Sequence, residues 1–481
     1  MSYDTLQDFV AELERRGELK RIARPVDPVL EITEIACRVV KAGGPALLFE
    51  QPKGSEVPVL INLFGSERRM ALALGVERVE EVAEEIAALL KPEVPPTWGG
   101  KLRRLGQIIS HARHLQPQLV KAGVCQEVVH TDGADLLEFP ILQCWPQDGG
   151  RFITLPVVFT KHPVTGQRNV GVYRMQVYDG KTTGMHWHLH KGGSHQYQDY
   201  ETLNRRMEVA VALGGDPAII YAATAPLPLN VDELLLAGFL RRRRVELVKC
   251  KTVDLEVPAG AEIVLEGYVE PHERRLEGPF GDHTGFYSPP EEYPVFHLTA
   301  ITHRRNPLYP AIVVGRPPME DTFLGKATER IFLPLIKLTL PEIVDLNLPL
   351  EGVFHNCVMV SIDKRYPGHA RKVCYALWGL GQMMFAKFII VVDKQVNVRD
   401  EAEVLFYLWN NVDPRRDTFL VDGPVDALDH SAPRPRYGSK MGIDATRKWP
   451  EEGHDRPWPE EIRMSEEVRQ RVEEMWGELG L

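Results

Sequence analysis

A chain of 481 residues exceeds what one hydrophobic core usually holds, about 250–300 residues, so two or three domains are expected. With 44% hydrophobic and 26% charged residues the composition is that of a folded protein and excludes extensive disorder. Lys and Arg number 57 against 67 Asp and Glu, and the resulting formal charge of −10 argues against an extended nucleic-acid footprint.

In chain order, Asp4-Thr5-Leu6-Gln7 reads as a capping box opening an amphipathic helix, with Leu6, Phe9, Val10 and Leu13 on one face and Gly17 ending it. This is not a signal peptide. No apolar run reaches the roughly 18 residues that span a bilayer. Short apolar runs at Pro45–Phe49 and Val57–Ile61 alternate with helical stretches up to about residue 117, the rhythm of an α/β domain. Pro92 to Gly100 reads as a boundary loop before one more helical stretch.

From residue 118 to 320 strand candidates dominate: Ile153 to Thr160, Asn169 to Tyr178, Ala218 to Ala222, Glu262 to Glu270 and Phe296 to Thr302. A β-rich barrel or sandwich follows, with helical insertions at Glu201 to Leu213 and Val231 to Leu240. The basic run Arg241 to Arg244 reads as a solvated helix end, with a groove for anionic lipid as the other reading. From 321 to 460 the α/β rhythm returns, with strands at Asn356 to Ile362 and Phe388 to Val392 and helices at Ala370 to Gly379 and Glu401 to Trp409. Residues 461–481 hold a last helix, Ser465 to Gly477, with Val468, Val472 and Met475 along one face, suited to docking on another subunit. Six cysteines without CxxC or secretory spacing point to buried thiols in a reducing compartment, the cytoplasm.

Three motifs carry chemistry. In His186-Trp187-His188-Leu189-His190, extended alternation puts three imidazoles on one face within reach of a metal; read alone, the segment equally suits polar histidines at a strand edge. In Asn169-Val170-Gly171-Val172-Tyr173-Arg174-Met175-Gln176, Arg174 shares a face with Val170 and Val172 and needs an anionic partner unless that face meets water. In Glu277-Gly278-Pro279-Phe280-Gly281-Asp282, a Gly-Pro turn can fold two acids toward one point, where one donates a proton and the other pairs with a cation.

Taken together, NVGVYRMQ, MHWHLHKGG, Glu233 in NVDELLLAGFL and EGPFGDHTGFY resemble the UbiD family of reversible decarboxylases in order and spacing. ELVKCKTVDLEVPAGAEIVLEG, GHARKV, RRDTFLVDG and GSKMGIDATRKW extend that resemblance over nearly the whole chain. It implies an α+β multidomain fold with a central split β-barrel of the flavin-reductase kind, and a prenylated FMN cofactor. Asn169, His190 and Glu233 are implied ligands of a Mn2+-type ion, an N/O set suited to that metal. A K+ ion is implied nearby, with the backbone of Tyr221 to Thr224 as its place.

The flavin is implied to lie across Val172, Tyr173, Arg174, His186, Trp187, His188, Lys191 and Gly192, with Lys387 as a weaker phosphate contact whose simpler reading is an exposed strand start. Arg174, Glu277 and Asp282 form the implied catalytic set: Arg174 pairs with Glu277 and orients the substrate carboxylate, and Asp282 delivers the proton that replaces CO2. Substrates left open are prenylated 4-hydroxybenzoate, a naphthoate of menaquinone synthesis, a simpler phenolic acid or an acrylic acid. Only a bulky prenylated one implies peripheral membrane contact. A flavin prenyltransferase as cofactor supplier and a homo-oligomer, dimer or hexamer, complete the expectation. A metal-dependent hydrolase built on the histidine segment and a non-catalytic cofactor-binding scaffold are the competing readings.

Overall fold

Capping and alternation fix the element starts. The computed structural model describes residues 2–90, 113–188, 192–229 and 231–480. The first helix, Leu6–Arg15, starts where Thr5 and Asp8 close a reciprocal cap: the Asp8 N–H donates to Thr5 Oγ1 at 3.3 Å and the Thr5 N–H to Asp8 Oδ2 at 2.8 Å. The box therefore closes through Asp8, one residue beyond the expected stretch. Leu6, Phe9, Val10 and Leu13 are buried as the periodicity requires, each contributing about 1.5–3 kcal/mol by its burial. Behind this helix lies a four-stranded sheet in the order Leu19–Ile22, Ala46–Phe49, Val59–Ile61, Tyr309–Pro310, so its last strand returns from far along the chain. The expected boundary loop at Pro92 to Gly100 lies outside the described residues.

The central sheet is antiparallel throughout, in the order Thr182–Gly184, Glu291–His303, Ile263–Glu277, Met207–Leu213, Val157–Lys161, Arg168–Val172, with Val128–His130 also pairing to Glu291–His303. Among the described residues its two end strands do not pair with each other. The sheet therefore stays open where the strand texture suggested a barrel, within a mixed α/β multidomain fold.

Two expected elements are corrected here. Glu201 to Leu213 is not a helix: a helix at Gly192–Thr202 ends there, and Met207–Leu213 is a strand between two others, its Val209 and Val211 buried. Ala218 to Ala222 is not a strand but the body of a helix, Pro217–Ala222, capped by the Asp216 side chain with proline at its first position. The basic run does lie at a helix end, with Arg242, Arg243 and Arg244 exposed, but Arg241 is buried, donating to Asp216 Oδ2 at 2.6 Å and to the Tyr3 carbonyl at 3.0 Å.

A 20-residue helix, Glu320–Thr339, leads to the third group of elements. Glu320 anchors its start by accepting the N–H groups of Asn62 and Phe64, each at 2.9 Å. The third sheet runs Ile343–Asn347, Cys357–Ile362, Phe388–Asp393, Tyr437–Asp444, Thr418–Pro424, parallel at its centre and antiparallel at both edges. The final helix, Glu466–Trp476, leaves Val472, Met475 and Trp476 exposed. All six cysteines are free. Among the described residues no helix is long and apolar enough to cross a membrane.

Candidate active site

The strand expected from Asn169 to Tyr178 is interrupted, and the interruption builds the site. Arg168–Val172 pairs with Val157–Lys161, and Met175–Gln176 pairs with Phe152–Ile153. Between them Tyr173 folds back over Gly171, where a Cβ would stand 2.4 Å from the phenol ring. Tyr173 Oη accepts the Gly193 N–H at 3.3 Å and lies 3.5 Å from Asn169 Nδ2.

Three chain segments meet at Asn169. Glu233, first residue of the helix Glu233–Arg241, accepts the Val170 N–H at 2.9 Å. The helix start is pinned to the strand by Arg168, which bonds Asp232 at 2.8 Å. From the other side comes Gly192, where a Cβ would stand 1.9 Å from Asn169 Oδ1, so any larger residue would displace the Asn169 amide. His190 and Lys191 lie outside the described residues, two positions and one before Gly192. Burial pushes Glu233 up to about 7 against the stabilising Val170 N–H.

Trp187 is buried edge-on to Tyr173 at 6.5 Å, and its Nε1 has no hydrogen-bond partner among the described residues. His186 and His188 do share a side of their segment, their Nε2 atoms 2.9 Å apart. Burial, then the charge of Arg174, lowers the proton affinity of His186, which favours a neutral ring donating Nδ1–H to Glu277, 3.0 Å from Oε2.

Arg174 is the centre of the second cluster. Its Nε and Nη2 donate to Glu277 Oε1 at 3.1 and 3.0 Å, and its Nη1 donates to Asp282 Oδ2. The Gly-Pro turn brings the two acids together as its sequence suggested. Gly278 has φ +98, its N–H donates to Gln176 Oε1 at 2.7 Å, and the Gly281 N–H donates to Asp148 at 2.7 Å. Burial alone would raise both acids, but it is outweighed. His186 and Arg174 hold Glu277 below the usual carboxylate range, and Arg174 with His283 does the same to Asp282.

Sequence reasoning missed the supports of this cluster. Ser288 Oγ accepts from Arg174 Nη2 at 3.2 Å, the Phe280 ring lies 4.4 Å beneath the guanidinium, and Tyr293 packs on His186 at 4.2 Å. Ser288 and Tyr293 sit on the return from the acid turn, and no local spacing marks them.

Residues 118–317 match the 3-octaprenyl-4-hydroxybenzoate carboxy-lyase Rift-related domain, 322–445 the C-terminal domain of that family and 10–89 its N-terminal domain. The chain belongs to the UbiD family of carboxy-lyases. An uncharacterized protein of Archaeoglobus fulgidus is 53% identical over 481 residues, covering 100% of this chain and 99% of that one. UbiD-class HmfF from Pelotomaculum thermopropionicum, solved in complex with FMN, superposes with a TM-score of 0.81 at 33% identity, covering 97% of this chain and 98% of that chain. The closed form of vanillic acid decarboxylase from Sedimentibacter hydroxybenzoicus gives 0.86 at 29% identity, covering 98% and 99%.

The residues present in this UbiD-family chain fit a flavin phosphate and a divalent ion. Asn169 and Glu233 offer oxygen ligands, burial raises the proton affinity of Glu233 in a way that a bound cation would relieve, and two glycines open a helix whose N–H groups suit an anion. Lys387 is less free than expected. Its ammonium holds Asp429 at 2.9 Å and Ser431 at 2.7 Å, so a phosphate there would have to displace a carboxylate.

Proposed function

We propose that this chain decarboxylates an aromatic or α,β-unsaturated acid, reversibly, using prenylated FMN held through a Mn2+-type ion by Asn169, His190 and Glu233. The observation that carries the reading is the buried Arg174 guanidinium shared between Glu277 and Asp282. Losing CO2 from an sp2 carbon leaves an electron pair that the acid alone has no place for, and the flavin supplies that sink when bound.

The protein groups do the rest. An arriving substrate carboxylate competes with Asp282 for the Nη1 edge of Arg174, while Glu277, steadied by His186, keeps the other edge fixed. As Asp282 loses its share of the guanidinium, the main influence lowering its proton affinity weakens. It then takes up a proton from solvent and delivers it to the carbon CO2 leaves, across a hydrogen-bond distance of about 2.6–3.2 Å.

Within the substrate class we assign a 4-hydroxybenzoate- or naphthoate-type acid of quinone biosynthesis. The matched family description and the likeness to a decarboxylase of vanillic acid, another ring acid, support it. The same reading includes K+ near Tyr221 to Thr224, a flavin prenyltransferase as supplier, a cytoplasmic setting and the division at 117, 320 and 460. It also includes a homo-oligomer, supported by the unpaired apolar side chains of Glu466–Trp476.

Co-expression with a flavin prenyltransferase tests the reading. The purified protein should carry a flavin spectrum and release CO2 from a hydroxybenzoate or naphthoate panel. Glu277→Gln should keep the spectrum and lose turnover. Colourless, inactive protein, or near-wild-type CO2 release from Glu277→Gln, would set the reading aside.

A further inference from the structure

Beyond Asp282, three loops from different parts of the chain bring a second donor set together. His283 lies in the turn joining Phe280–Gly281 to Tyr287–Ser288, His355 precedes the strand Cys357–Ile362, and Asp426 follows the strand Thr418–Pro424. One ligand atom of each lies within 4.8 Å of the others. The two imidazoles face each other directly, His283 Nε2 standing 3.0 Å from His355 Nε2.

The surroundings favour a cation at this point. On its far side the His283 ring places Nδ1 2.8 Å from Asp282 Oδ1, so Nδ1–H donates to the carboxylate and Nε2 is left for a ligand. A carboxylate behind an imidazole is the usual outer support of a metal-bound histidine, fixing its tautomer and raising its basicity. His355 is delivered by two consecutive non-glycine residues in the left-handed region, Val353 at φ +53 and Phe354 at φ +48. A β-branched residue stays there only when its surroundings hold it. Beside the cluster, both carboxylate oxygens of Asp321 are shielded from solvent with no partner in hydrogen-bonding geometry among the described residues. After burial, the His283 charge is the strongest influence on this acid.

We propose that His283 Nε2, His355 Nε2 and an Asp426 carboxylate oxygen bind a divalent first-row transition ion, with Asp321 as the adjacent counter-charge. Two imidazoles and one carboxylate suit Zn2+ or its neighbours better than Mg2+ or Ca2+, which take all-oxygen shells. Its ligands are other residues than Asn169, His190 and Glu233, and it does not rest on the decarboxylase reading. Its ligands come from the central and C-terminal parts of the chain, so the ion ties the Asp282 turn to the third sheet.

The test is a Co2+ titration of the purified full chain, followed by ligand-field absorption with Zn2+ as competitor. The wild type should show bands of imidazole-ligated Co2+ that persist in Glu233→Gln and vanish in His355→Ala and in Asp426→Asn. Asp282→Asn should weaken Co2+ binding by about 10- to 100-fold through the lost support of His283. Zn2+ should raise the unfolding temperature of the wild type and leave that of His355→Ala unmoved, which separates a lost site from a lost fold. The proposal is overturned by absent bands in the wild type, by wild-type Co2+ binding in the His355 and Asp426 variants, or by loss of the bands in Glu233→Gln alone.

Discussion

Glu277 and Glu320 are each only 1% exposed, yet their proton affinities move in opposite directions. Around Glu277 the chain supplies the positive charge of the Arg174 guanidinium, and the His186 ring adds a hydrogen bond. Around Glu320 it supplies mainly backbone N–H groups, with the Arg69 charge acting without a direct bond, and burial pushes the acid up to about 7. Dipoles offset only part of the cost of burying a charge, whereas a paired cation can reverse it. Regions of the first kind keep anions and can exchange one for another, as a carboxylate substrate requires. Regions of the second kind hold a proton or take up a cation, and Asp321, next in sequence to Glu320, lies in the second kind beside the His283 and His355 pair.

The contrast is broken most directly at Arg174. Arg174→Ala should strand Glu277 and Asp282 without their main cation, costing about 3–5 kcal/mol of stability and removing turnover. Thermal unfolding and CO2 release check both, and a stable, active variant would mean that the two acids do not depend on this guanidinium.

A smaller effect separates the two glutamates by pH. Glu320 binds its proton more tightly in the folded state, so its contribution is fully present below about pH 4.5 and is lost as pH rises toward about 7. A shift of this size corresponds to about 3 kcal/mol. Relative to Glu320→Gln, the wild type should therefore lose about that much stability between about pH 5 and about pH 8. Glu277 and Asp282 have the opposite sign: their contribution is present above about pH 4 and disappears as the solution is acidified further. Unfolding of the wild type and Glu320→Gln across that range resolves the two windows, and parallel curves would remove the contrast.

Much of this was legible in the residues, for identifiable reasons. The N-terminal helix was readable because its cap and its 3.6-residue stripe agree, and the strands at Cys357–Ile362 and Phe388–Asp393 because they are continuous apolar runs. Met207–Leu213 was misread although Met-Glu-Val-Ala-Val-Ala-Leu carries a period of two, since its alanines also suit a helix. Pro217–Ala222 was misread because an apolar run of that length is ambiguous, and the deciding Asp216-Pro217 start was overlooked. The Arg174 cluster joins residues 103 and 108 positions apart, which no spacing rule connects; only family resemblance put them together. The His283, His355 and Asp426 set escaped altogether, because its three loops share neither a repeat nor a motif.

The mildest probe of the Arg174 region is Ser288→Ala. The hydroxyl accepts from Arg174 Nη2 at 3.2 Å and donates to the Phe280 carbonyl at 3.3 Å, so its loss removes neutral bonds and leaves both acids in place. The expected cost is about 0.5–1.5 kcal/mol, with turnover reduced by less than about tenfold. Because charge at this site is balanced by Glu277 and Asp282, the pH profile of turnover should keep its shape while its height falls. A displaced profile in Ser288→Ala would show that the hydroxyl, and through it the return strand, takes part in setting the proton affinity of Asp282.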